Sequence, residues 1–373
     1  MPIYKMKGAK DGRQKYRVRI NYTDNYGNNK QIDRVAYGSN EAKELEMKLL
    51  YDLKHEQPTA RMTVGELCKK YLQATKNEIR ETSYNKNKTV IEHHILPYLE
   101  GKQLNKLTAP VIQDWKMSIE KLNFQLRTRQ NIYSTFNAVL NWGVRLDYMS
   151  NNILSKVGNF KSTNTIKKEM DFYTGEEYSK FAKAALNYAQ NSPKSAAYNY
   201  YVFFAIAFYC GLRKGEIHAL KWSDIDGIYL NVSRSITQKL KGEDRETAPK
   251  NKSSVRTLQL PQPLIDILKE HKERYKENEN FSENFRICGG ERPLRDTSIE
   301  NMNIKFAKAA GIKKIRIHDF RHSHASLLAN SGINIQEIAR RLGHSDVQMT
   351  WNTYSHLYPK EEERAIEILN KIV

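Results

Sequence analysis

Two arginines, two histidines and a tyrosine stand in a fixed order in the second half of this sequence. Arg213 lies in Gly211-Leu212-Arg213-Lys214-Gly215-Glu216, directly after an apolar stretch. His318 and Arg321 bound His318-Asp319-Phe320-Arg321, which runs on into His322-Ser323-His324. His344 follows in Leu342-Gly343-His344-Ser345, and Tyr354 comes ten residues later within Asn352-Thr353-Tyr354-Ser355-His356. Each phrase alone is weak: such arginines are usually surface residues, and a tyrosine near a C-terminus more often packs than reacts. Together they describe one chemistry. Arginines clamp a phosphate bidentately and neutralise charge developing on its oxygens. Histidines move or share protons, and a tyrosine can be a covalent nucleophile.

The rest of the composition narrows the substrate. Lys and Arg number 61 against 42 Asp and Glu, a net charge of +19 with a pI near 9.5. A surplus that large points to a polyanion. A DNA phosphodiester fits both the charge and the arginine–histidine–tyrosine set. No two-metal carboxylate cluster is visible, so no metal and no cofactor is expected. Cys68, Cys210 and Cys288 are scattered and match neither a disulfide framework nor a metal-ligand spacing. The longest apolar run, Tyr201–Cys210, falls well short of the ~20 residues of a membrane span, and no secretory signal is visible after Met1-Pro2-Ile3-Tyr4-Lys5. An intracellular chain without a membrane partner is expected.

Three segments must position these groups. In the first, Lys15–Tyr22 alternates strictly, with Tyr16, Val18, Ile20 and Tyr22 on one face and Lys15, Arg17, Arg19 and Asn21 on the other, the period of a half-buried strand. Asp24–Asn28 supplies a turn, Gln31–Tyr37 a returning strand, and Ser39 an N-cap for a helix to about Leu53. The second segment is helical. Thr63-Val64-Gly65-Glu66 is a capping box for a helix to about Lys76, and further helices are expected near Ser83–Tyr98, Pro110–Leu122 and Arg127–Arg145. In the last of these, Ile132, Phe136, Val139, Leu140 and Val144 keep helical spacing and should face a core. This middle segment, residues 61–165, carries 16 basic against 8 acidic side chains and is the most basic for its length. The polar stretch Gly158–Met170 reads as a linker. The third segment opens on a second capping box, Thr174-Gly175-Glu176-Glu177. A hairpin of Ile228–Val232 and Val255–Leu260 is expected, then helices at Ser298–Ala310, Asp319–Asn330 and Asn334–Leu342. The apolar tail within Glu361–Val373 should dock somewhere.

These phrases resemble the signature of the tyrosine recombinases, the phage and conjugative-transposon integrases: an arginine in Gly-Leu-Arg-x-Gly-Glu, then His-x-x-Arg, Leu-Gly-His and a nucleophilic tyrosine. The resemblance extends over the chain and implies a multidomain α+β fold. Residues 1–57 would be an arm-type DNA-binding domain of a small β-sheet plus helix. Residues 61–160 would be an all-α, SAM-like core-binding domain, and residues 171–373 a mainly α catalytic domain with a small β-hairpin.

The resemblance also implies roles. Arg213 and Arg321 would bind the scissile phosphate, and Tyr354 would attack it, leaving a 3′-phosphotyrosyl bond and a free 5′-hydroxyl. His318 would accept the tyrosine proton and His344 would hydrogen-bond a phosphate oxygen. Glu216 would brace the site without reacting. Lys252, with Lys250 as the alternative, would protonate the leaving 5′-oxygen. Tyr358 is the alternative nucleophile, and His322 and His324 are expected to be structural. Lys15, Arg17 and Arg19 would contact arm-site DNA.

The implied partners are double-stranded DNA at core and arm attachment sites and three further copies of the chain in a tetramer on DNA. An excision factor and a host DNA-bending protein would join them, in the nucleoid of a bacterial cytoplasm. The tail would dock on a neighbouring protomer or on its own domain. Three rivals remain. A type IB topoisomerase shares the chemistry but needs no second DNA address. A DNA-binding regulator could retain the fold, and a metal-dependent nuclease could use the histidines.

Overall fold

The computed structural model describes residues 3–23, 29–55, 62–161, 170–192, 196–238, 244–247, 252–277, 279–358, 366 and 369–370. The expected turn at Asp24–Asn28 and most of the tail lie outside these residues; the described tail residues Ile366 and Leu369 are exposed. The chain divides into two compact units, 1–166 and 167–373.

The first unit begins with an antiparallel sheet of β1 (Ile3–Lys10), β2 (Arg13–Thr23) and β3 (Asn29–Tyr37), covered by α1 (Ser39–His55). Val18 and Ile20 of β2 are buried, and Val18 forms a small core with Ala36 of β3 and Ala42 of α1. Two points differ from the sequence reading. Ser39 is the first helical residue and not a cap beyond it. Strand β1 was not expected; its register shifts between Lys5 and Ala9, around Gly8 at φ +115°. On the opposite face, Asp33 pairs in register with Arg19, and its carboxylate accepts hydrogen bonds from both Arg17 and Arg19.

The same unit continues as helices. They are α2 (Val64–Thr75), α3 (Glu81–Val90), a π-turn (Ile91–Ile95), α4 (Leu96–Leu99), α5 (Ala109–Glu120), α6 (Leu126–Arg145) and α7 (Leu154–Val157). The Thr63–Glu66 capping box is formed in both directions. Ile132, Phe136, Val139 and Leu140 of α6 are buried against Trp115 of α5 and Leu67 of α2. Phe160, within the stretch read as linker, belongs to this core. It is 2% exposed, its ring lies 6.5 Å from those of Trp115 and Tyr133, and Lys116 donates to the carbonyl of Gly158. One apolar residue in a polar run carries no periodicity, yet burying a phenylalanine contributes ~1.5–3 kcal/mol.

The second unit is built around α9 (Ala197–Cys210), which is buried on nearly all sides. Before it comes α8 (Gly175–Asn191), opened by the Thr174–Glu177 capping box. After it come α10 (Lys214–Ala219), β4 (Ile225–Asp226), β5 (Tyr229–Val232), β6 (Ser235–Thr237), β7 (Arg245–Thr247) and β8 (Arg256–Gln259). The expected hairpin is the antiparallel pair β5–β8, but β4 joins it and the two short strands β6 and β7 pair within its connection. Then follow α11 (Gln262–Lys276), α12 (Asp296–Ala309), α13 (Asp319–Asn330), α14 (Ile335–Leu342) and α15 (Val347–Tyr354). Phe181, Phe204, Phe306 and Phe320 stack through edge contacts and tie α8, α9, α12 and α13 together. Among the described residues no helix is long and apolar enough to cross a membrane.

Candidate active site

Two glycine turns aim the site. Gly211 caps α9 at φ +62°, and a Cβ there would stand 2.7 Å from the His324 ring; Gly343 caps α14 at φ +67°. Both are left-handed helix ends that favour glycine. The chain leaves Gly211 so that Leu212 is buried while Arg213 caps the start of α10, and it leaves Gly343 directly into His344.

Glu216 organises the first turn. It is 5% exposed; its carboxylate accepts from Arg213 N (3.0 Å), Arg213 Nη1 (2.9 Å) and Arg256 Nη2 (2.9 Å). Burial alone would raise its pKa, but Arg256 and Arg213 hold it below its ordinary value. Arg256, the buried first residue of β8, also donates from Nε to the carbonyl of Arg341 (2.7 Å). No role for it was expected from the sequence. The signal lay in β8 itself, where Arg256 takes the inward position that Leu258 takes two residues later, and an inward charge requires a partner.

Arg321, in the first turn of α13 and 2% exposed, binds both glycine turns together. Nη1 donates to the carbonyl of Gly211 (2.8 Å) and Nη2 to that of Leu342 (2.6 Å). Burial first, and the neighbouring Arg213 second, pull its pKa down to about 9. The guanidinium is therefore still charged at neutral pH, and its described hydrogen bonds end on carbonyls. An anion beside it would relieve both the burial and the arginine–arginine repulsion. His344 is half-buried, with Nδ1 2.8 Å from Thr350 Oγ1. Burial, then Arg321 and Arg213, pull its pKa down to about 4, so it is neutral at pH 7.

Tyr354 ends α15 and is 1% exposed, packed against Ala325, Ala329, Ile338 and Leu342. Its hydroxyl lies 2.6 Å from Nδ1 of His322. Burial raises the phenol's pKa; burial and then His318 depress that of His322 to about 4. Phenol and ring are thus both neutral, joined by this one hydrogen bond. The residue touching the hydroxyl is therefore His322, expected to be structural, and not His318. His318 is exposed at the start of α13, its ring 5.0 Å from that of His322. The four-residue spacing, which places both rings on one helix face, was the available clue. His324 is buried with Nδ1 on the carbonyl of Phe208 (2.8 Å), and the Tyr358 hydroxyl donates to the carbonyl of Ile333 (2.6 Å). The backbone of Lys252 begins a short 3₁₀ turn (Lys252–Ser254). Its side chain, and Lys250 altogether, lie outside the described residues.

A buried guanidinium, a neutral histidine beside it and a tyrosine on the adjoining helix stand together in this site. The family model "Phage integrase family" matches residues 172–361, and "Phage integrase, N-terminal SAM-like domain" matches residues 63–119. The chain belongs to the phage integrase family and is a tyrosine recombinase. Among its relatives, the ICEBs1 integrase of Bacillus subtilis (strain 168) is 29% identical over 349 residues, 91% of this chain and 92% of the relative. A XerC-like tyrosine recombinase of Caldanaerobacter subterraneus subsp. tengcongensis is 31% identical over 227 residues, 56% of each chain. The Tn1549 transposon integrase, solved with transposon right end DNA, shares the fold at a TM-score of 0.66 and 18% identity, over 84% of this chain and 100% of that one. Lambda integrase, solved as a tetramer bound to a Holliday junction, gives a TM-score of 0.57 at 17% identity, over 97% and 95%.

Proposed function

We propose that this recombinase integrates or excises a mobile element by cutting duplex DNA at Tyr354. The observation that carries this reading is Arg321: a buried guanidinium whose hydrogen bonds among the described residues end on carbonyls, held where the Arg213 and His344 turns meet. The phenol oxygen of Tyr354 forms the new bond to phosphorus while the bond to the 5′-oxygen breaks. The leaving oxygen takes its proton from Lys252, with Lys250 as the alternative, and the phenol proton passes to the histidine face of α13, where His318 and His322 stand. Arg213, Arg321 and His344 meet the charge on the non-bridging oxygens. The 3′-phosphotyrosyl bond conserves the energy of the phosphodiester, so a second strand end can displace the tyrosine without ATP.

Residues 1–57 take the role of an arm-site domain, 61–160 that of a core-site clamp and 171–373 that of the catalytic domain. The active assembly in this reading is a tetramer on two duplexes in the nucleoid of a bacterial cytoplasm, joined by an excision factor and a host bending protein. The test is covalent trapping in EDTA on nicked duplexes taken from the DNA flanking the gene, with the adduct mapped by peptide mass spectrometry. The expected result is a nucleotide-bearing peptide that contains Tyr354. Tight, specific binding with no adduct would favour a regulator that retains the fold.

In the first unit, Asp33 already gathers Arg17 and Arg19 on the exposed sheet face, so Lys15 and this buttressed pair form the arm-reading surface. Replacing all three with alanine should weaken arm-site binding and lower its salt dependence while core-site cleavage continues. Unaltered arm binding would remove that assignment.

A further inference from the structure

Thr350 behaves unlike its neighbour on α15. Thr353 donates its hydroxyl to the carbonyl four residues back, at Met349 (2.7 Å), the usual helical arrangement. Thr350 is fully buried, and its described partner is instead the ring of His344, Oγ1 to Nδ1 at 2.8 Å. That burial decides the direction of the bond. If Nδ1–H donated to Oγ1, the hydroxyl's own hydrogen would be left in the core with no described acceptor, a costly arrangement. The hydroxyl therefore donates, Nδ1 is the bare nitrogen, and the neutral ring carries its hydrogen on Nε2. Nε2 has no partner among the described residues. The other tautomer would present a lone pair to a phosphate oxygen and repel it.

We propose that Thr350 is a positioning residue that fixes the tautomer of His344, so that Nε2–H is a donor for the scissile phosphate. Thr350 lies one helical turn before Tyr354, so the same helix that carries the nucleophile also sets the donor that stabilises the transition state. The inference rests on the recombinase reading for its phosphate and on geometry alone for its tautomer.

The experiment pairs two substitutions in the full chain. Thr350→Val keeps the shape and removes the donor; Thr350→Ser keeps the donor and loses the methyl. Single-turnover cleavage of a suicide duplex at saturating protein should fall about 10- to 100-fold in Thr350→Val, by analogy with losing a group that orients a metal-bound histidine. DNA affinity should stay unchanged, and Thr350→Ser should recover most of the rate. A role in packing alone predicts the reverse order, because serine leaves a void and valine does not.

Nitrogen-15 spectra of histidine-labelled protein, with His344→Gln to assign the signal, should place the hydrogen on Nε2 in the wild type and show mixed tautomers in Thr350→Val. A wild-type rate in Thr350→Val, or an Nδ1–H signal in the wild type, would overturn the proposal. A wild type that forms no adduct at all would instead remove the recombinase reading, and the spectra would still decide the tautomer.

Discussion

Tyr354→Phe should abolish the covalent protein–DNA adduct outright while leaving DNA binding within a few-fold of wild type. The phenyl ring keeps the packing against Ala325, Ala329, Ile338 and Leu342, so helix α15 has no reason to move. The loss is confined to one oxygen and its hydrogen bond to His322, worth about 1 kcal/mol of stability. For the reaction the loss is complete, because phenylalanine has no atom that can form the bond to phosphorus. Tyr358→Phe provides the contrast. That hydroxyl donates to the carbonyl of Ile333 at 2.6 Å, so its removal should cost some stability at the end of the domain and leave the adduct in place. A denaturing gel of both variants on the same nicked duplex, beside a native gel for binding, separates the two tyrosines. An adduct that persists in Tyr354→Phe would discard the assigned nucleophile. In the DNA-free chain Tyr354 is 1% exposed, so its hydroxyl must be uncovered before it can touch a phosphate.

What could be read beforehand divides by distance along the chain. The capping boxes at Thr63–Glu66 and Thr174–Glu177, the buried stripe of α6 and the limits of α13 are written within a turn or two of sequence, and the folded chain has them. The short strands β6 and β7, three residues each in a charged connection, are too brief to show a period. Arg213, Arg321, His344 and Tyr354 could be proposed because each sits in its own compact phrase. Arg256 and His322 were not, because their roles exist only through partners 40 and 32 residues away, Glu216 and Tyr354. A side chain that holds another leaves at most a local hint, an inward charge or a four-residue spacing; only the fold names its partner. The same reasoning separates Thr350 from Thr353, identical in type and three residues apart, one bonded to its own helix and the other to His344.

Glu216→Gln is expected to be the most damaging substitution that leaves every reacting group in place. The carboxylate is the shared counter-ion of Arg213 and the buried Arg256. An amide of the same size offers one acceptor and turns an N–H toward a guanidinium. Removing one partner of a buried ion pair costs about 3–5 kcal/mol, because the remaining charge is left uncompensated. Arg256 would drop its hold on the carbonyl of Arg341 beside Leu342, and Arg213 would lose the bond that fixes its guanidinium. Cleavage should therefore fall by more than the stability loss alone explains, since the fraction still folded lacks a positioned Arg213.

The pH dependence identifies the cause. The arginines hold the Glu216 pKa below its ordinary value of 4.5. A carboxyl with a depressed native pKa contributes stability that is fully present above the unfolded value and is lost as pH falls through the native one. Urea unfolding of the wild type should lose that increment on acidification below about pH 4.5, and Glu216→Gln, already without it, should show a flatter acid limb. Equal acid slopes in the two proteins would mean that Glu216 is not the counter-ion that holds the arginines. An equal loss of stability and of cleavage would reduce its role to folding.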